Sequence, residues 1–283
     1  MIRRSGLAGR IGVLLLALLH VPAGAPAQAR PADTIRVLAY NIHHGEGMDS
    51  VVDLERIAAL IRSVDPDLVA LQEVDSVTTR TGGVDQAAEL ARQTGLEARY
   101  GAFMPYREGA YGMAVLSRWP IESATNHRLP DGEEPRSALG VTVRSPATGR
   151  RLYFVGIHLY RTEEERMAQA TVLDSTLAVV GLPAILAGDF NSTPDSPVMR
   201  RLRSSWAVVD KGADRLTFPS YAPEREIDFV LVRRGSGFRV LSRRVLDEPV
   251  ASDHRAVFVE LLMTGEPRGD PGTASPRTRR PVP

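Results

Sequence analysis

The stretch Leu186-Ala187-Gly188-Asp189-Phe190-Asn191 ends an apolar run, residues 184–187, in a carboxylate and an amide two residues apart. Along a strand, residues i and i+2 share a face, so Asp189 and Asn191 would project together from one strand end. An anion that orients a water, beside a neutral donor that holds an oxyanion, suits hydrolysis. Gly-Asp and Asn-Ser also make an ordinary turn, so this stretch alone decides nothing. Five further places repeat the design: Asn41, Glu73, His158, Asp228 and Asp253-His254 each sit on or just past an apolar strand. Singly, each has a bland reading as turn residue, cap or ion-pair partner, such as Asp228 with Arg225. Together they set carboxylates, amides and imidazoles at strand exits, where α/β folds gather ligands.

The elements that must position these residues follow from periodicity. Residues 34–41 alternate as a half-buried strand does. Asp53 caps a helix with the stripe Leu54, Ile57, Ala58 and Ile61, and Asp65-Pro66 stops it. Residues 68–71 form a short buried strand that exits into Gln72-Glu73. Residues 78–83 read as a loop and 84–94 as a helix closed by Gly95. Strands are predicted at 111–117, 121–129, 137–143 and 151–158. Thr162 and Glu165 spell a capping box for a helix with Met167, Ala170, Leu173 and Leu177 inward. That helix returns to the strand at 184–191, and Pro197 opens a shorter one. Strands at 225–232, 238–245 and 256–263 close the domain. There is no tandem repeat, but strand–helix–strand with polar exits recurs faintly at 34–73 and 151–191.

The two ends of the 283-residue chain differ from its middle. Arg3, Arg4 and Arg10, an apolar run over 11–21 and Ala27-Gln28-Ala29 make a secretory signal peptide over 1–29. The run is shorter than the roughly 20 residues a membrane span needs, so no transmembrane anchor is expected after cleavage. Residues 264–283 are Gly, Pro, Arg, Ser and Thr with little apolar surface, and should be disordered. One domain is expected over 30–263, in a periplasmic or secreted protein. With no cysteine, that domain has neither disulfides nor thiolate chemistry. The whole chain carries a formal +1; the leader holds three Arg and the tail four Arg and two acids, leaving 28 Lys and Arg against 32 acids. A mildly acidic domain does not look like a sequence-independent DNA binder and does suit carboxylates gathered round a cation.

Tyr40-Asn41, Leu71-Gln72-Glu73-Val74, Gly156-Ile157-His158-Leu159, Gly188-Asp189-Phe190-Asn191, Ile227-Asp228-Phe229 and Ser252-Asp253-His254 stand in the order of the endonuclease/exonuclease/phosphatase family. The resemblance covers about residues 34–262. It implies an α/β fold, a four-layer α/β/β/α sandwich of two mixed β-sheets with helices outside, and an Mg²⁺- or Mn²⁺-dependent phosphoester hydrolase. On that resemblance Glu73 is the principal metal carboxylate, with Asn41 and Asp253 beside it. Asp189 orients or deprotonates the attacking water, and Asn191 holds a phosphoryl oxygen. His158 and His254 donate to the phosphate, and Asp228 orients His254 and keeps it cationic.

His158 sides with the two-histidine phosphodiesterase and phosphatase branch, away from the apurinic endonucleases. Arg225-Glu226-Ile227-Asp228 departs from the Trp-Cys-Asp-Arg of the inositol polyphosphate branch. Nucleic acid, phospholipid head group and small phosphoester all stay open as substrates, and no stable protein partner is expected. Secondary substrate-binding candidates are Arg80, Arg136 and His44, the last beside His43. The rival from another class is a binding or scaffolding protein that kept the fold and lost the chemistry.

Overall fold

A computed structural model describes residues 31–264. The expected leader, and all of the expected tail but Thr264, lie outside the described residues.

The first strand, β1 (Thr34–Asn41), is buried along its whole length rather than on one face. Its apparent alternation comes from Arg36, only 8 % exposed, whose guanidinium meets Asp65 at 2.6 Å and Asp67 at 3.6 Å. A buried cation paired in this way reads in sequence as an outward polar position. Helix α1 (Leu54–Val64) starts on Asp53, whose side chain accepts from the Glu55 and Arg56 amides, and stops at Asp65 in the left-handed region. It leads into β2 (Leu68–Ser76), which pairs parallel to β1. Next come α2 (Gln86–Thr94), β3 (Glu97–Tyr106) and β4 (Gly109–Ser117).

The second half runs β5 (Ile121–Arg128), β6 (Ser137–Arg144) and β7 (Arg151–His158). Then follow α3 (Glu163–Ala178), β8 (Ala184–Asp189), α4 (Pro197–Leu202), β9 (Trp206–Val208) and β10 (Asp228–Arg233). The chain ends by returning to the first sheet with β11 (Phe238–Val245) and β12 (Val257–Met263).

Two six-stranded sheets result, ordered β11-β12-β1-β2-β4-β3 and β5-β6-β7-β8-β10-β9. Both centre on a parallel pair, β1 with β2 and β7 with β8, flanked by antiparallel strands. The core has three parts. Ile35, Val37, Ala70 and Val115 pack against Phe154, Ile185 and Val230 between the sheets. Ile57, Ala58 and Ile61 of α1 cover Leu38, Val69 and Leu71 on one outer face. Ala170, Leu173 and Leu177 of α3, with Val198 and Met199 of α4, cover Val155, Ile157 and Leu186 on the other. This is the four-layer sandwich the sequence implied.

Four local expectations are corrected. Residues 97–106 form an edge strand where none was predicted, because a half-exposed strand with a bulge between Ala102 and Met104 shows no clean period. Helix α2 begins two residues late, since Asp85 is its cap and accepts from the Ala88 amide. At α3 the Thr162 hydroxyl turns to the Glu165 carboxylate, so the box closes side chain to side chain and caps no amide. Strand β10 begins at Asp228, because Arg225 pairs instead with Phe218 in an isolated antiparallel bridge.

Candidate active site

Strand register delivers most of the polar exits to one edge. His158, the last residue of β7, stands beside Asp189, the last of β8, and Asp228, the first of β10, flanks Asp189 from the other side. Gly188 takes φ 144°, and a Cβ there would lie 2.1 Å from the Ile157 carbonyl oxygen. Only glycine lets β8 approach β7 this closely just before Asp189 leaves the sheet. In the first sheet Asn41 ends β1 next to Gln72. Glu73 follows in a bulge, since pairing with β4 steps from Gln72–Met113 to Val74–Gly112. Its φ of 58° is left-handed, a conformation a non-glycine residue holds at about 1–3 kcal/mol. Bulges re-aim side chains, and this one brings the carboxylate within 3.2 Å of Asn41 Nδ2.

One amide joins the two halves. Asn41 Nδ2 lies 3.2 Å from Glu73 Oε1, 3.2 Å from Asp189 Oδ2 and 3.5 Å from His254 Nε2. Its Oδ1 accepts the His43 backbone N–H at 3.1 Å, and Ser252 Oγ donates to its carbonyl at 2.7 Å. Asp189 Oδ1 accepts the Asn191 N–H at 2.7 Å. Its Oδ2 lies 3.4 Å from His158 Nε2 and 3.8 Å from His254 Nε2. His254 Nδ1 sits 3.0 Å from Asp228 Oδ2, and the Phe218 ring packs on the imidazole at 4.8 Å. Beneath, Lys211 Nζ donates to the Asp228 carbonyl at 2.8 Å. Asn191 is in place, its Nδ2 donating to the Leu159 carbonyl at 2.9 Å. Asp228 thus serves His254 and not Arg225, whose guanidinium stacks on Phe218.

The two imidazoles are shifted in opposite directions. Burial alone would lower the His254 imidazole, but the Asp228 and Asp189 carboxylates outweigh it and raise it to about 10. His158 is pushed well below its ordinary value by burial, with Arg136 and His254 adding repulsion. At neutral pH one ring is an imidazolium and the other is neutral. Burial and the neighbouring Asp228 charge raise the Asp189 carboxyl to about 7, against the opposing pull of His254. A carboxylate held near neutrality can both take and return a proton.

The secondary candidates part company. Arg136 is 4 % exposed and inserts between the rings of Phe103, Tyr111 and Tyr160 at 5.0, 5.7 and 5.5 Å. Glu134 takes one of its nitrogens at 2.9 Å, while Nε and Nη1 are buried without a partner among the described residues. Arg80 is instead gripped by Asp75 through two bonds of 2.7 Å, its guanidinium lying over Tyr106 and Tyr111. His44 is buried in the turn after β1, its imidazole lowered first by burial and then by Arg80 and His43. Sequence reasoning missed Glu46, which holds both histidines of that turn, and the part Tyr111 plays as a wall of the site; nothing local signals either. Beside Asn191 a cleft of about 510 Å³ is lined by Arg161, Arg166, Arg225 and Ser192.

The donor chemistry fits a divalent cation. Among the described residues Glu73 and Asp253 make no ion pair, and hard carboxylate oxygens without a counter-charge are what Mg²⁺ or Mn²⁺ takes. Donor atoms cluster within 4.8 Å in two groups, His43–His44–Glu73 and Asp189–Asp228–His254, with Asp253 in neither. Asn41 turns its nitrogen, not its oxygen, toward Glu73.

A double α/β sandwich whose paired strand ends enclose carboxylates and two unlike imidazoles defines a class, the acid–base centre held between two sheets. A family model matches residues 38–254, and the chain belongs to the endonuclease/exonuclease/phosphatase family, whose members are phosphoester hydrolases. The uncharacterized protein YbhP of Escherichia coli K12 is 28 % identical over 249 residues, covering 81 % of this chain and 96 % of that protein. The crystal structure of an endonuclease/exonuclease/phosphatase from Beutenbergia cavernae superposes with a TM-score of 0.65 at 26 % identity, over 82 % of this chain and 72 % of that one. The mannosyl-6-phosphatase Bt3783 of Bacteroides thetaiotaomicron shares the fold, with a TM-score of 0.67 at 19 % identity over 81 % and 99 % of the two chains.

Proposed function

We propose that the protein is an exported, divalent-metal-dependent phosphoester hydrolase in which Asp189 activates a water for one-step attack on phosphorus. The observation that carries this reading is the setting of Asp189, buried and in reach of Asn41, His158, His254 and Asn191 at once. Its raised carboxyl draws a proton from the attacking water as that proton becomes acidic. His254, fixed by Asp228, presents Nε2–H to a phosphoryl oxygen as a charged donor. Neutral His158 and the Asn191 amide complete the donor set, and the unpartnered Nε and Nη1 of Arg136 suit the remaining phosphoryl oxygens. Glu73 would be the principal carboxylate on the cation, which when bound supplies positive charge to the non-bridging oxygens, and Asn41 would join it only with its amide turned to present Oδ1. The arginine-lined cleft beside Asn191 would take the rest of an anionic substrate.

Purified protein assayed on bis-p-nitrophenyl phosphate and on a phosphomonoester tests the reading. Chelator should abolish turnover and Mg²⁺ or Mn²⁺ restore it. Asp189→Ala should lose about 10²- to 10⁴-fold in kcat with its circular dichroism unchanged. Equal turnover by the variant would exclude Asp189 as the base, and a wholly inactive wild type would favour a binding protein that kept the fold. Recovery of the mature chain from the periplasm or medium, beginning near Arg30, tests the export.

A further inference from the structure

Glu73 faces the turn that follows Asn41 as well as Asn41 itself. A donor atom of each of His43, His44 and Glu73 lies within 4.8 Å of the other two. Each ring has its other nitrogen fixed by the same residue: His43 Nδ1 lies 3.1 Å from the Glu46 carbonyl oxygen and His44 Nε2 lies 3.3 Å from the Glu46 carboxylate. That leaves His43 Nε2 and His44 Nδ1 open. His44 is only 7 % exposed, yet its Nδ1 has no hydrogen-bond partner among the described residues. Gln86 Nε2 donates to the His44 carbonyl at 2.6 Å and holds the turn in place. An imidazole whose far nitrogen is held by a carboxylate or carbonyl has its tautomer and orientation set for metal binding.

We infer that His43, His44 and Glu73 form a second, nitrogen-rich divalent-cation position, sharing Glu73 with the oxygen-lined one, that takes Mn²⁺, Co²⁺ or Zn²⁺ in preference to Mg²⁺. The inference rests on the reading of Glu73 as a cation carboxylate. Mg²⁺ demands hard oxygen donors and sheds water reluctantly, whereas imidazole nitrogen suits the borderline transition metals. The nearby Arg80 cation is no barrier, because Asp75 neutralises it through two charged bonds of 2.7 Å.

The test is titration of chelator-stripped full-length protein with Mn²⁺, followed by electron paramagnetic resonance. Wild-type protein should bind Mn²⁺ with nitrogen hyperfine coupling in the pulsed spectrum, and a large excess of Mg²⁺ should not erase that signal. The coupling should vanish in the His43→Ala/His44→Ala double variant and persist in Asp189→Asn. Glu46→Ala should weaken Mn²⁺ affinity about 10- to 100-fold by freeing the His44 ring, while the Glu46 backbone carbonyl still holds His43. Bound Mn²⁺ without nitrogen coupling in the wild type would overturn the inference, as would coupling that survives the double variant or yields to Mg²⁺. Should the double variant fail to fold, the wild-type pulsed spectrum decides. The two readings fail separately: protein inert on every phosphoester can still show the coupling, and full Mg²⁺-supported activity without it would leave only the hydrolase standing.

Discussion

The two sheets are built on one plan and equipped for different work. Each has a parallel pair bridged by a helix, β1-α1-β2 and β7-α3-β8, with a polar residue at each exit. In the second sheet the exits follow directly from register, His158, Asp189 and Asp228 lying side by side. In the first sheet register alone is not enough, and a bulge and a turn of left-handed residues bring Glu73, His43 and His44 into place. On the proposed reading the regular half positions groups that move protons, which must meet at hydrogen-bond distance. The irregular half positions groups suited to a cation, which needs donors from several directions. The shared frame supplies the edge, and departures from it gather His43, His44 and Glu73.

Substitutions at three positions would break or sharpen this contrast. Asp228→Asn should cost about 10²-fold in kcat, because it strips His254 of the partner that keeps it charged. With His254 raised to about 10, the imidazolium persists through neutral pH and is lost only as pH rises through that value. Removing Asp228 lowers the folded pKa, so the alkaline limb of the pH–rate profile should move to lower pH. An unmoved limb would show that His254 is not the group titrating. Arg136→Ala should lower kcat/KM about 10- to 100-fold, the worth of hydrogen bonds to a charged group, and Arg136→Lys should recover only part of it. Gly188→Ala should act chiefly on the regular half. Its methyl group meets the Ile157 carbonyl oxygen at 2.1 Å and, on the other sheet, only the movable Gln72 amide at 2.9 Å, and about 1–3 kcal/mol of stability should be lost in denaturant melts. Mn²⁺ binding per folded molecule should be unchanged, and a parallel loss there would mean that the halves are not separable.

The regular half was the more legible in sequence, for the same physical reason. Strand period and strand length place His158 and Asp189 by simple counting, so the order strand, helix, strand over 151–191 could be read, although β8 stops at Asp189 and Thr162 caps no amide. Asn41 could be read likewise, as the end of a strand. The bulge at Glu73 could not, because an inserted residue looks like any other until its pairing is known. Arg136 was a loop arginine in sequence, and what makes it a site residue is the meeting of Phe103, Tyr111 and Tyr160 from three separate segments. Arg233, which in sequence is only one of two adjacent arginines, lies on Trp206 and donates to the Val180 carbonyl at 2.9 Å beyond the end of α3. Edge strand β3 was lost for want of a clean alternation. In each case the missing information was tertiary.

Strand β2 has one residue more than its ladder can use. Leu68 and Ala70 face the other sheet, Val69 and Leu71 face the helices, and Val74 takes the helix side immediately after Gln72 and the supernumerary Glu73. Excising Glu73 altogether would therefore close the gap between two neighbouring rungs, Gln72–Met113 and Val74–Gly112, without turning any later side chain over. The architecture can dispense with the one carboxylate that its proposed chemistry cannot, so a single lost codon would leave the ladder continuous and take away the carboxylate that both proposed cation positions share.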